Sequence, residues 1–289
     1  MKEDKIYRAT TLNDQFRIMA VDSTHTAQRC RDLHDLSPLA TLLMSRMISA
    51  VAMMSLDLKN EEADLSLRIE GKGPLKGALV VINGRSETRG YAFEPKLFLS
   101  SANENFLPGK QLLPGTLTLI RSSGMKSPYT GMIELVTGDV AEDLAHYYAQ
   151  SEQIPTAVNL GVLIDQEARV RASGGLIIQQ LPQADPHQAE LLIDNLNQTP
   201  NLSDLMDMGL DVPEILERFV LKGLQWQMHD ARPLVYKCNC SKERFANALR
   251  LLGKNELQQM QEGISPICHY CNTSYNFSPE EILELIKGL

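Results

Sequence analysis

The sequence predicts an α+β protein: an N-terminal β-sheet domain with a buried central helix, then a helical linker and a small C-terminal domain rich in cysteine. Three observations carry this. An apolar stretch at 39–58 with helical spacing gives way to segments whose apolar residues alternate with period two. Helical spacing returns after residue 183. Four of the five cysteines then gather in the last fifth of the chain. Strands grouped apart from helices are the mark of an α+β architecture. The 289 residues correspond to roughly two domains, and 43% apolar content is enough for a sizeable core. The expected division is a core domain at 1–180, a linker at 181–233 and a cysteine-bearing domain at 234–289.

The stretch 39–58 is the one membrane candidate, and it fails as a span. Arg46 lies near its middle and Asp57 near its end, whereas a span needs about 18 uninterrupted apolar residues. Ser37 and Pro38 supply an N-cap and a first-turn proline, so a core helix is expected. After it, Leu65, Leu67 and Ile69 alternate with polar residues, and 75–82 leads through Asn83-Gly84 into a run ending near Phe93, which predicts a hairpin. Further strands are expected at 116–121, 130–137, 157–164 and 169–179, the last two joined at Asp165-Gln166. Between the pairs, Asp139 with Glu142 three residues on predicts a capped helix ahead of Leu144, Tyr147 and Tyr148. Gly71-Lys72-Gly73-Pro74-Leu75-Lys76-Gly77 matches neither a P-loop nor a dinucleotide fingerprint and is expected to be a turn between strands.

From Gln183 to about Arg232 the pattern predicts short helices. Ala189, Leu192, Ile193 and Leu196 keep helical spacing after Asp185-Pro186, as do Val212, Ile215, Leu216, Phe219 and Val220. Such short, interrupted helices are marginal unless they pack on a surface. The segment is acidic, with nine Asp and Glu against three Lys and Arg, and Met206, Met208 and Met228 add adaptable apolar surface. A permanently packed connector would show the same features.

The last domain holds Cys238-Asn239-Cys240, a gap of 27 residues, then Cys268-His269-Tyr270-Cys271. Two close cysteine pairs brought together by the intervening chain can offer four thiolates to one zinc ion. The single residue between Cys238 and Cys240 is tighter than in common zinc ribbons, which suggests a site that changes state. A disulfide between that pair would be strained and readily reduced again. Ser278, Pro279 and Glu281 predict a capped final helix. So few residues bury little surface, which makes metal binding a large part of such a domain's stability.

Charge and the remaining candidates exclude several functions. Net charge is −8 and no basic tract occurs, so no nucleic-acid surface is expected. The opening Met1-Lys2-Glu3-Asp4-Lys5 lacks an apolar run, so no secretory signal is expected and the thiols are placed in a reducing cytoplasm. Cys30 stands alone and is expected to be a small packed side chain. His269 is expected outside the ligand set, and His25, His34, His146, His187 and His229 show no ligand or triad spacing. No catalytic residue is expected, and the chain is not read as an enzyme.

These residues carry a resemblance. The two cysteine motifs, the stretch Gly138-Asp139-Val140-Ala141-Glu142-Asp143-Leu144-Ala145 with Tyr147-Tyr148, then Ser151-Glu152-Gln153 with Pro155-Thr156-Ala157-Val158, and Gly174-Gly175-Leu176-Ile177-Ile178-Gln179 resemble the redox-regulated heat shock protein 33 family. The resemblance covers nearly the whole chain. It implies an ATP-independent holdase, inactive when reduced and carrying one zinc per chain on Cys238, Cys240, Cys268 and Cys271. Oxidation is then expected to form Cys238–Cys240 and Cys268–Cys271 disulfides, release zinc and unfold the linker. The implied partners are unfolding client proteins, a second copy of the oxidised chain, and ATP-dependent foldases that receive the clients.

Two rival readings are distinguishable. A thiol–disulfide oxidoreductase would use Cys268 and Cys271, but its first cysteine should open a helix, and the nearest cap is Ser278. A zinc-ribbon nucleic-acid module needs a basic face, whereas 236–289 balances six Lys and Arg against six Asp and Glu.

Overall fold

The computed structural model describes residues 3–12, 14–98, 108–122, 128–182 and 184–289. Met1, Lys2 and Gln183, which enter the expectations above, lie outside them. The chain divides into two compact units, Met1–Tyr236 and Lys237–Leu289.

In the first unit, β1 (Lys5–Thr11) and β2 (Phe16–Asp22) lead into α1 (Thr24–His34) and α2 (Pro38–Met54). Next come β3 (Asp64–Gly71), β4 (Gly77–Asn83), β5 (Glu87–Ala92), β6 (Gly115–Ser122) and β7 (Tyr129–Glu134). Helix α3 (Val140–Tyr147) precedes β8 (Thr156–Ile164) and β9 (Val170–Gln180). Among the described residues the strands form two mixed-length sheets. One has the order β8, β9, β2, β1 and then β10 (Trp226–Pro233); the other runs β7, β6, β3, β4, β5 and then β11 (Val235–Tyr236). The fold is α+β, as the alternating patterns required.

Helix α2 is the centre of the core. Its residues Leu43, Met47 and Val51 share one buried cluster with Leu67 and Val80 of one sheet and Val21 and Ile177 of the other. The helix and the turn after it, Pro38–Asp57, are long and apolar enough to cross a membrane, but 89% of the apolar window is buried inside the protein. The Ser37 side chain accepts the Ala40 N–H at its start. Asn83 and the next residues make the expected hairpin, with β4 and β5 in antiparallel register. The Gly71–Gly77 segment is the turn from β3 to β4, with Lys76 and Gly77 at positive φ.

Residues 181–233 pack within the same unit. Helices α4 (Pro186–Gln198), α5 (Leu202–Asp207) and α6 (Val212–Ile215), the last continued by a π turn at Leu216–Val220, cover one face of the β1–β2–β9 sheet. Leu192, Leu205, Ile215 and Val220 meet Phe16, Ile18 and Ile178 there. One expectation needs correction. The segment 226–232 is not helical: Trp226–Pro233 is a strand antiparallel to β1. Its side chains alternate between half-buried and exposed, so the period is two. Asp230 and Arg232 occupy half-buried positions, which hides the alternation from a hydrophobic reading.

Candidate metal centre

The second unit is built from α7 (Lys242–Leu251), α8 (Lys254–Gln258) and α9 (Pro279–Lys287) around Leu249, Leu257, Phe277, Ile282 and Leu285. Helix α9 carries the predicted capping box: Ser278 accepts the Glu281 N–H while the Glu281 carboxylate accepts the Ser278 N–H. Five buried apolar side chains are a thin core for an independently ordered unit.

The four cysteines complete it. Cys268 opens a tight turn in which the Cys271 and Asn272 amides donate to the Cys268 carbonyl at 3.3 and 2.8 Å. Asn272 takes a positive φ. Antiparallel bridges at Ile267–Ser274 and Ile264–Phe277 hold the arms of this loop, which aims Cys268 and Cys271 at one point. Cys238 and Cys240 precede α7, whose N-cap Ser241 accepts the Arg244 N–H. Cys238 Sγ lies 3.7 Å from Cys268 Sγ and Cys240 Sγ 3.3 Å from Cys271 Sγ, and all four sulfurs fall within 4.8 Å of one another. Zinc–sulfur bonds of about 2.3 Å make a tetrahedron with edges of roughly 3.8 Å, so the sulfur positions fit a single four-thiolate ion.

The protein's own electrostatics divide the thiols, with Cys271 drawn toward the thiolate. Burial pushes the Cys238 and Cys268 thiols up. Burial raises Cys271 too, but hydrogen bonds to Thr273 and the neighbouring sulfurs outweigh it and bring the thiol down to about 7. The Tyr275 hydroxyl sits 3.1 Å from Cys240 Sγ, and that hydrogen bond pushes the phenol up to about 12. Cys271 Sγ and Thr273 Oγ1 lie 3.2 Å apart, and the Thr273 hydroxyl donates to the sulfur when it is a thiolate. The cysteine spacing did not point to either residue. A hydroxyl two residues past Cys271 was the available signal for Thr273; Tyr275 reaches Cys240 only because the loop turns back.

Other expected residues fall elsewhere. His269 is exposed and is not among the four clustered ligand atoms. Cys30 is fully buried in the first unit, where burial pushes its thiol up to about 12 against a hydrogen bond with Tyr236; it is a packed thiol. His25 pairs with Asp4 at 3.0 Å and His229 with Thr10 at 2.8 Å. Cys268 does not open a helix, since α9 begins at Pro279, which removes the geometric basis for an oxidoreductase.

An α+β core followed by a small unit with four clustered thiols defines a protein with a candidate metal site and no catalytic constellation among the described residues. The sequence profile of the Hsp33 protein family matches residues 4–278, and the chain belongs to that family, whose members are chaperones and not enzymes. It is 39% identical to the 33 kDa chaperonin of Desulforamulus reducens over 99% of this chain and 98% of that one. Identity to the 33 kDa chaperonin of Lachnoclostridium phytofermentans is 38%, over 98% of each. The crystal structure of the 33 kDa chaperonin (heat shock protein 33 homolog) of Thermotoga maritima superimposes with a TM-score of 0.91 at 32% identity, covering 99% of both chains.

Proposed function

We propose that this chaperone is a redox-regulated, ATP-independent holdase of the cytoplasm, held inactive by one zinc on Cys238, Cys240, Cys268 and Cys271. The observation that carries the reading is the convergence of four sulfurs within 4.8 Å in a unit with so small a core. Zinc, when bound, would hold all four sulfurs as thiolates and supply much of the unit's folding free energy, on the order of 10–16 kcal/mol.

The residues supply the switch. A thiolate is the form that peroxide or hypochlorous acid attacks, giving a sulfenic acid that a second thiolate converts to a disulfide. Each pair of thiolates gives two electrons to one peroxide, which takes up two protons and leaves as two waters. Within-motif pairing, Cys238–Cys240 and Cys268–Cys271, follows the family resemblance; a strained bridge across one residue is easily reduced again, which suits a reversible switch. With both pairs oxidised the metal ligands are gone, and residues 234–289 lose their order.

We divide the chain functionally into 1–180, 181–233 and 234–289. Loss of order after residue 233 reaches the linker along the chain, because β10 and β11 directly precede Cys238. Linker helices then leave the sheet face and offer their apolar sides to unfolding clients. Ile193 at 56% and Met208 at 76% exposure support weak attachment. The oxidised form dimerises and passes clients to ATP-dependent foldases. Peptide mapping of the peroxide-treated chain tests the pairing: bridges linking Cys238 to Cys268 and Cys240 to Cys271 would refute it.

A further inference from the structure

Helix α5 rests on a seat made by two glycines. Gly161 and Gly174 are direct cross-strand partners in β8 and β9. A Cβ on Gly161 would lie 2.8 Å from the Ser203 amide nitrogen, and one on Gly174 would lie 2.7 Å from Met206 Sδ and 3.0 Å from its Cε. The absence of side chains at this pair is what lets the helix approach so closely. Leu202 and Leu205 are buried in the contact, and the Arg171 guanidinium grips Asp207 with bonds of 3.0 and 2.6 Å. Met206 reaches its thioether into the seat yet stays half-buried, while Met208 stands 76% exposed just past the helix.

We infer that Met206 is a second oxidant-sensitive site, whose conversion to methionine sulfoxide by hypochlorous acid or peroxide unseats α5 independently of the four cysteines. The sulfur gives an electron pair to the oxidant's oxygen and an S–O bond forms. Hypochlorous acid leaves as chloride and a proton, or peroxide as water. The product is bulkier and polar where the seat accommodates neither. The nearest backbone atom at the Gly174 Cβ position is the Val21 carbonyl oxygen, 2.5 Å away. It is an acceptor like the sulfoxide oxygen, so the new group gains no hydrogen bond from it. Helix α5 has six residues and no side-chain cap bond at Asn201. A helix that short depends on its contacts and opens when they fail.

This inference rests on the reading that the linker is the client surface, and it adds a trigger with a different memory. Dithiothreitol reverses a disulfide, but methionine sulfoxide needs its own reductase. The test uses the full-length, zinc-loaded chain. Hypochlorous acid is added until mass spectrometry finds Met206 oxidised; dithiothreitol and zinc then restore the cysteine centre. Amide exchange over 202–207 and suppression of client aggregation are measured. The expected result is exchange about tenfold faster than in the untreated protein, with residual holdase activity. Met206→Leu should abolish both, Met208→Leu should leave both, and Met206→Gln should exchange fast without oxidant. Wild-type exchange that returns to baseline with Met206 oxidised would overturn the inference. So would a Met206 that stays reduced at doses that oxidise Met208 and all four cysteines. The two readings fail separately: rapid exchange at 202–207 without client suppression refutes the client surface, whereas opening that follows the disulfides alone refutes Met206.

Discussion

Arg46 interrupts an otherwise buried helix, and Asp139 answers it with an ion pair. The same carboxylate accepts the Ala141 and Glu142 N–H groups at the start of α3, so one residue caps one helix and neutralises the charge of another. Asp143, also in that stretch, is fully buried and accepts the Val136 and Thr137 N–H groups at 2.7 and 3.2 Å. Burial raises its pKa from 3.8, although those N–H groups oppose the rise. A carboxyl with a raised folded pKa contributes stability that is full below its unfolded value and is lost as pH rises through the folded one. Asp143→Asn should therefore flatten the stability profile just above pH 3.8; urea midpoints across the acid range test this, and an unchanged slope would contradict it. At the candidate metal centre, Cys268→Ser should lower zinc retention and expose 234–289 to protease while leaving the core at 1–180 folded. Full zinc with an unchanged cleavage pattern would refute the ligand assignment. The clustering of the four cysteines was legible because each pair is close in sequence, whereas Tyr275 was not, because its contact with Cys240 is made by the return of the loop.

Among the elements, those with end signals were the legible ones. Ser37-Pro38, Asp139, Asp185-Pro186 and Ser278-Pro279 all start helices where expected, since a cap is satisfied by neighbours in sequence. Strands with one buried face, such as β3, showed their alternation. Strand β2 did not, because it is buried on most of its residues and so has no period to read. Strand β10 was hidden by its polar half-buried positions. The linker's attachment has a direct test. Ile215 is fully buried against the sheet, and replacing it and Phe219 by Ser should weaken docking by about 2–5 kcal/mol, the usual cost of emptying such a site. Exchange over Pro186–Gln198 and Val212–Val220 should rise even in the reduced protein, and activity should appear at lower oxidant dose. Exchange that is identical in both redox states would return these helices to permanent structure.

For the whole molecule, the proposed switch couples zinc binding on residues 237–289 to release of the linker helices from their sheet. Deleting 234–289 should yield a folded chain that suppresses aggregation without oxidant, because the restraint has gone; a folded but inactive truncation would count against gating by release. The most direct measurement follows zinc content and suppression of client aggregation together in the full-length chain, before and after peroxide with mild heat, and again after reduction with zinc restored. The account predicts one zinc and no activity at the start, then zinc loss and activity rising in step, then reversal of both. Activity that appears with zinc still bound, or zinc loss that leaves the chain inactive, would contradict it.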